Sequence, residues 1–199
     1  MRKLLLAGGI GIALVGAFVA GRKTGATEEE HYVPRRGWIL TETAQRTPDG
    51  GVLMIGDSLT ERSGFATHCG MPVFNAGVSM AKAQDMRWAA RTLAEELTPD
   101  LTVVALGTND ALMETPIADF RREMTEMLAE LPKPMTLVSV PELPENKDAA
   151  QPYNAVIAEL ARQPGIKLVE PIAYETSDGV HQSPAGAQTW RAAIEASCQ

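Results

Sequence analysis

The sequence predicts an α/β protein built as a three-layer α/β/α sandwich, with helices on both sides of a five-stranded parallel sheet. Three observations lead there. From Val52 onward, short apolar runs alternate with longer segments whose apolar residues recur at spacings of three and four, the strand, helix, strand rhythm of a parallel sheet. The runs are nearly continuous in apolar residues rather than alternating, as strands covered on both faces must be. The chain has 199 residues, 45% hydrophobic and 22% charged, with 17 Gly, 13 Pro and 2 Cys. That is the size and composition of one ordinary globular domain, and it excludes collagen-like, disordered and disulfide-framework architectures.

In chain order, residues 1–21 stand apart. Arg2 and Lys3 precede an 18-residue run, Leu4 to Gly21, that holds no charge. The run is long for the apolar part of a signal peptide and short for a bilayer-spanning helix, so it reads as a signal peptide or a membrane anchor. Either way the expectation is an extracytoplasmic protein, periplasmic or in the cell envelope, secreted through this segment or held to the membrane by it. Residues 22–50 carry Glu28-Glu29-Glu30, Pro34, Pro48 and Gly50 without a sustained apolar period. They read as a tether in which only Trp38-Ile39-Leu40 packs on the domain, which spans 51–199. The formal charge is -7; without Arg2 and Lys3 the remainder holds 16 basic against 25 acidic residues, or -9, with the basic residues scattered. No nucleic-acid face is expected, and the charge reads as solubility.

Val52-Leu53-Met54-Ile55, Val73-Phe74, Leu101 to Leu106, Met135 to Val140 and Ile166 to Val169 are the expected strands, each bounded by Gly, Pro, Asn or Asp. A short helix is expected from the first strand's exit to about Thr67, and longer ones over Lys82–Leu97, Ile117–Leu131, Asn154–Gln163 and Pro184 to about Ala196. Thr115-Pro116 and Ser183-Pro184 each set a capping side chain before a Pro at the first helical position. Ligands of such sheets bind beyond the carboxyl ends of the strands, so the chemistry is sought there.

Four strand exits deliver polar groups: Gly56-Asp57-Ser58-Leu59, Asn75-Ala76-Gly77-Val78, Gly107-Thr108-Asn109-Asp110 and Asp178-Gly179-Val180-His181. A Ser at the first turn of a helix points its hydroxyl into the cleft, where helix amides stabilise negative charge. The hydroxyl becomes a nucleophile only when a base takes its proton, and a His serves as base only when its tautomer is fixed. Asp178, three residues before His181, meets that need; His31 lies in the tether and His68 is expected on the helix behind the site, which leaves His181 as the base.

These residues resemble the SGNH, or GDSL, family of serine esterases and lipases over about Gly51 to Ala196. The resemblance rests on Gly56-Asp57-Ser58-Leu59, Gly77, Gly107-x-Asn109-Asp110 and Asp178-x-x-His181. Asp-x-x-His alone is common by chance; the rarer Gly-Asp-Ser-Leu, and the order of all four at successive strand ends, carry the weight. The resemblance implies the SGNH hydrolase fold with a flavodoxin-like strand order. It also implies Ser58 as nucleophile, His181 as base, Asp178 as its orienting partner, and an oxyanion hole made by the amides of Ser58 and Gly77 and the side chain of Asn109. One departure is visible: the family's second block often runs Asn-x-Gly-x-Ser-Gly, and here Ser79 is followed by Met80. Met80, Leu112 and Met113 read either as an apolar wall for an acyl group or as ordinary core filling.

No metal or organic cofactor is expected, since no cluster has ligand spacing and no phosphate-binding Gly loop occurs. The implied activity is hydrolysis of carboxylic esters through an acyl-enzyme. The longest site-side insertion is the Pro141 to Pro152 loop, which leaves little room for a lid and favours short acyl groups, such as acetyl, on envelope or extracellular carbohydrates. A lysophospholipase or thioesterase-type acyl hydrolase is the alternative, and a tethered, non-catalytic carbohydrate-binding or assembly module is the alternative from another class. In a flavodoxin-like sheet the first and last helices cover one face and run away from the site. That brings Cys69 and Cys198 near each other and predicts a disulfide, which suits an oxidising compartment.

Overall fold

The computed structural model describes residues 35–40, 42, 50–143 and 148–198. The expected leader, 1–21, and most of the expected tether lie outside the described residues. Among the described residues no helix is long and apolar enough to cross a membrane.

Residues 35–40 form a helix, α1. The sheet comprises β1 (Val52–Gly56), β2 (Thr67–His68), β3 (Met71–Gly77), β4 (Leu101–Ala105), β5 (Met135–Val138) and β6 (Ile166–Val169), in the order β2-β3-β1-β4-β5-β6. All pairs are parallel except β2 with β3. The five expected strands are therefore present in flavodoxin-like order, and the sheet has a sixth. At two residues, β2 is too short to leave a periodic trace in the sequence. It is created by the turn at Cys69 (φ 50) and Gly70 (φ 73), which folds Thr67–His68 back on Pro72 and Met71.

The continuous apolar run of β1 serves two cores. Leu53 and Ile55 join a cluster with Met86, Leu93, Phe120 and Ile157, on α3 (Ala83–Leu97), α5 (Ile117–Ala129) and α6 (Gln151–Leu160). Val52 and Met54 point the other way, to Leu59 of α2 (Ser58–Glu61) and to Trp190 and Ile194 of α7 (Pro184–Glu195). Period-two side-chain alternation thus buries every residue of the strand. The chain leaves β1 for β3 on one side and returns to β4 on the other, so the carboxyl end of β1 is the point where the winding reverses.

Several expected elements shift. The helix after β1 ends at Glu61 rather than near Thr67, and His68 lies buried on β2. Thr115 does not cap α5: the helix starts at Ile117, where Asp119 and Phe120 donate to the Pro116 carbonyl, and the Thr115 side chain turns to Asp110 instead. Ser183 does cap α7, accepting from the Gly186 N–H at 3.1 Å with Pro184 in the first turn. Within the expected tether, Ile39 is fully buried as part of the larger core cluster while Trp38 and Leu40 stay exposed. On a helix, three consecutive residues cannot share one face, so only the middle one packs.

Cys69 and Cys198 are bonded, with Cα atoms 5.3 Å apart across 129 residues of sequence. The bridge ties the β2 edge to the chain's last turn, and beside it the His68 Nδ1 lies 2.8 Å from Glu195 Oε2. Reduction should lower stability by about 2–5 kcal/mol on the chain-entropy model. Urea unfolding with and without a thiol reductant measures this, and coincident midpoints would refute it.

Candidate active site

The exit of β1 is shaped by close approach. A Cβ on Gly56 would meet the Thr60 side chain and the Ala105 carbonyl, so the chain turns sharply into α2. Asp57 caps that helix, its Oδ1 accepting from the Leu59 N–H at 2.9 Å. Burial raises its carboxyl to about 6, against opposing hydrogen bonds from the Leu59 amide and the Thr108 side chain. Ser58 follows as the first helical residue, and its N–H has no intrahelical partner.

The loop before α7 brings the other half. Asp178 Oδ1 accepts from the N–H groups of Val180 (3.1 Å) and His181 (2.7 Å). The loop is closed by the Ser177 N–H donating to the His181 carbonyl at 2.8 Å and by the Tyr174 hydroxyl donating to the Val180 carbonyl at 3.0 Å. So held, His181 places Nδ1 2.7 Å from Asp178 Oδ2 and Nε2 3.0 Å from Ser58 Oγ. Hydrogen bonds from His181 hold the Asp178 carboxyl down to about 2. An ionised carboxylate only accepts, so the proton sits on Nδ1 and the Nε2 lone pair faces the Ser58 hydroxyl. The arrangement can remove the proton of Ser58 as its oxygen attacks a carbonyl carbon.

Asn109 and Asp110 lie on a short helix, α4 (Thr108–Leu112), entered through Gly107 at φ 121. A Cβ on Gly107 would meet Val140 Cγ2 at 2.8 Å. The buried Asp110 caps α3, its Oδ2 accepting from the Ala83 N–H at 3.0 Å. Asn109 Nδ2 donates to the Ala81 carbonyl at 3.0 Å, which uses one of its two hydrogens and leaves the other.

Gly77 departs from expectation. Its N–H donates to Asn75 Oδ1 at 2.9 Å, so it is not available to an oxyanion. The glycine is needed for another reason: a Cβ there would meet the backbone of Thr60 and Glu61, so its absence lets β3 lie against α2. Three residues on, Met80 takes the left-handed conformation (φ 66), and its N–H makes no hydrogen bond among the described residues. Met80 stands where the second block's last Gly is expected, and the left-handed backbone that favours Gly is retained there. That missing Gly was the signal in the sequence that points to Met80.

Met80, Leu112 and Met113 are 37%, 45% and 43% exposed, so they are not core filling. A cavity lined by residues that include Leu59, Thr108, Val140 and Trp190 has a volume of about 10 Å³. A much larger one, about 480 Å³, lies around Cys69, Leu101, Met135, Ile166 and Cys198 at the opposite end of the strands, and no site residue lines it. His68, Cys69 and Cys198 form the only metal-like cluster among the described residues, and there the two sulfurs are bonded to each other.

The model of the GDSL-like lipase/acylhydrolase family matches residues 54–189. This chain belongs to that family. The hydrolase is an enzyme that cleaves ester bonds. In fold it is similar to a protein from Streptococcus pneumonia at 18% identity and TM-score 0.70, with 86% of this chain and 94% of that one covered. It is also similar to a GDSL-like lipase from Bacteroides thetaiotaomicron (23% identity, TM-score 0.66, 84% and 98% covered). The SGNH-hydrolase family esterase AlinE4 is a third (20%, 0.54, 76% and 96%). Comparison with curated proteins finds no match.

Proposed function

We propose that the hydrolase works through an acyl-enzyme formed on Ser58, with His181 as general base and acid and Asp178 as its orienting partner. The observation that carries this reading is the unbroken chain Ser58 Oγ, His181 Nε2, His181 Nδ1, Asp178 Oδ2, at 3.0 and 2.7 Å. Ser58 attacks the ester carbonyl while His181 takes its proton. The tetrahedral oxyanion collapses, and His181 returns the proton to the leaving alcohol. Water then repeats the sequence and frees the acid. The oxyanion is held by the N–H groups of Ser58 and Met80 and by the free amide hydrogen of Asn109.

Asn109→Ala should lower kcat by about 10²- to 10³-fold with little change in KM, because the donor acts on charge that exists only after attack. Steady-state kinetics on a nitrophenyl ester measures it, and a change confined to KM would refute the role.

The substrates we propose are short acyl esters, such as acetyl groups on envelope or extracellular carbohydrates. Support comes from the length of the longest site-side insertion, Pro141 to Pro152, which leaves little room for a lid over a long acyl chain. The apolar leader and the Cys69–Cys198 bridge support a location outside the cytoplasm. The exposed Met80, Leu112 and Met113 favour a second reading, a lysophospholipase or thioesterase-type acyl hydrolase. Labelling by a fluorophosphonate probe, and its loss in Ser58→Ala, tests the mechanism; a folded protein that never labels would instead fit a non-catalytic binding module. Rates on acetyl and long-chain nitrophenyl esters test the substrate class, and a strong long-chain preference would overturn the short-acyl reading.

A further inference from the structure

The loop that follows β3 carries the Met80 N–H, and β3 is only partly covered. On its outer side β2 pairs with Met71 and Pro72 alone. Backbone groups of alternate residues point to opposite sides of a strand. Val78 donates inward, to the Gly56 carbonyl at 3.0 Å, so the carbonyls of Asn75 and Gly77 face outward, where no strand among the described residues meets them. Arg35 of α1 meets both, its Nε donating to the Gly77 carbonyl at 2.9 Å and its Nη2 to the Asn75 carbonyl at 3.0 Å. Its planar fork of donors stands in for the missing strand.

The same guanidinium lies 3.8 Å from the Glu61 carboxylate, and the two side chains are only 15% and 18% exposed. Glu61 Oε2 in turn accepts from the Ser79 N–H at 2.6 Å and from the Ser79 hydroxyl at 2.7 Å. Ser79 immediately precedes Met80. A non-glycine residue in the left-handed region persists only where its surroundings over-determine it, and on the strand side Arg35 and Glu61 supply that restraint. On the helix side, Asn109 holds the Ala81 carbonyl.

We propose that Arg35 is a positioning residue for the oxyanion-binding Met80 amide, acting through the Asn75 and Gly77 carbonyls and through Glu61 and Ser79. The catalytic unit then begins at α1, inside the segment read as tether, rather than at Gly51. The inference rests on the reading that the Met80 N–H binds the oxyanion.

The test uses the full chain with Arg35→Ala, Arg35→Lys, Glu61→Gln and the Arg35→Ala/Glu61→Gln double variant. Arg36→Ala is the control, since it removes the contact of Arg36 with the Trp88 ring at 4.7 Å without touching the loop. Arg35→Ala should lower kcat on nitrophenyl acetate by about tenfold at unchanged KM, a fraction of what complete loss of an oxyanion donor costs. Arg35→Lys should recover part of it by keeping the charge beside Glu61 without the two-carbonyl fork. The double variant should fall no further than the worse single one, as expected of residues acting in one network. Arg36→Ala should stay within about twofold of the parent, the usual outcome for a surface change. Parent-like kcat in Arg35→Ala, or an equal loss in Arg36→Ala, overturns the proposal. Because Ser58 labelling by the fluorophosphonate is followed in every variant, absence of labelling in the parent sinks the mechanism itself, whereas labelling with kcat unaffected sinks only the role of Arg35.

Discussion

Ser58→Ala should cut ester hydrolysis by about 10⁴- to 10⁶-fold, the scale of losses when the nucleophile of such a triad is removed. The substitution deletes one oxygen and leaves the rest of the site intact. Asp57 still caps α2, and the pair of Asp178 with His181 is closed within its own loop. The protein should therefore fold and bind ester as before, and a loss confined to kcat isolates the covalent step. Mass spectrometry of the fluorophosphonate-treated enzyme should show one adduct, on the peptide that holds Ser58, and none in the variant. A Ser58→Ala protein that retains a substantial part of the parent's turnover would place the nucleophile elsewhere.

Asp178→Asn should lower kcat by about 10³- to 10⁴-fold, on the scale known for the wrong His tautomer. The reasoning is specific to how this carboxylate is used. One oxygen accepts from the N–H groups of Val180 and His181, and the other faces His181 Nδ1. An Asn can keep the first role with its Oδ1, which leaves its NH₂ group facing Nδ1. Two donors cannot share a hydrogen bond, so the imidazole proton moves to Nε2 and the lone pair that should take the Ser58 proton is lost. Kinetics on the same nitrophenyl ester, with circular dichroism to confirm the fold, measures the effect; a loss under tenfold would show that the loop alone orients the imidazole. A pH dependence accompanies the pair. The Asp178 pKa is lowered from 3.8 to about 2 in the folded protein, so its contribution to stability is present above about pH 4 and is lost as the pH falls toward 2. The carboxylate is half exposed, so that contribution is small.

Much of the site was legible in short windows of sequence. Gly56-Asp57-Ser58-Leu59 is a strand exit followed by a tight turn, Asp178-x-x-His181 is a tight turn in the loop before α7, and the backbone geometry of each is set by neighbours a few residues away. The parallel sheet was legible in the same way, because a strand covered on both faces carries its burial in its own composition, as Val52–Gly56 does. Ser183 could be read as a cap because capping joins residues three apart. Thr115 shows the limit of that reasoning: Asp110, already held at the start of α3, drew its side chain away.

By itself the sequence determined the fold class and singled out Ser58, Asp178 and His181, the three side chains that the structure brings within hydrogen-bond distance of one another. Only the tertiary structure decided which amide stands free for an oxyanion. Gly77 carries the glycine that the motif asks for, yet its N–H is spent on Asn75 and its missing Cβ on the approach of α2. Met80, marked in the sequence only by the absence of the glycine expected at its position, holds an N–H with no partner among the described residues. Tertiary structure likewise decided that Arg35 belongs with the site, across 42 residues of sequence. The physical reason is the same in both cases. A hydrogen-bond donor is directional, and which donors are left over depends on every partner in reach, including the strand edge that β2 leaves uncovered.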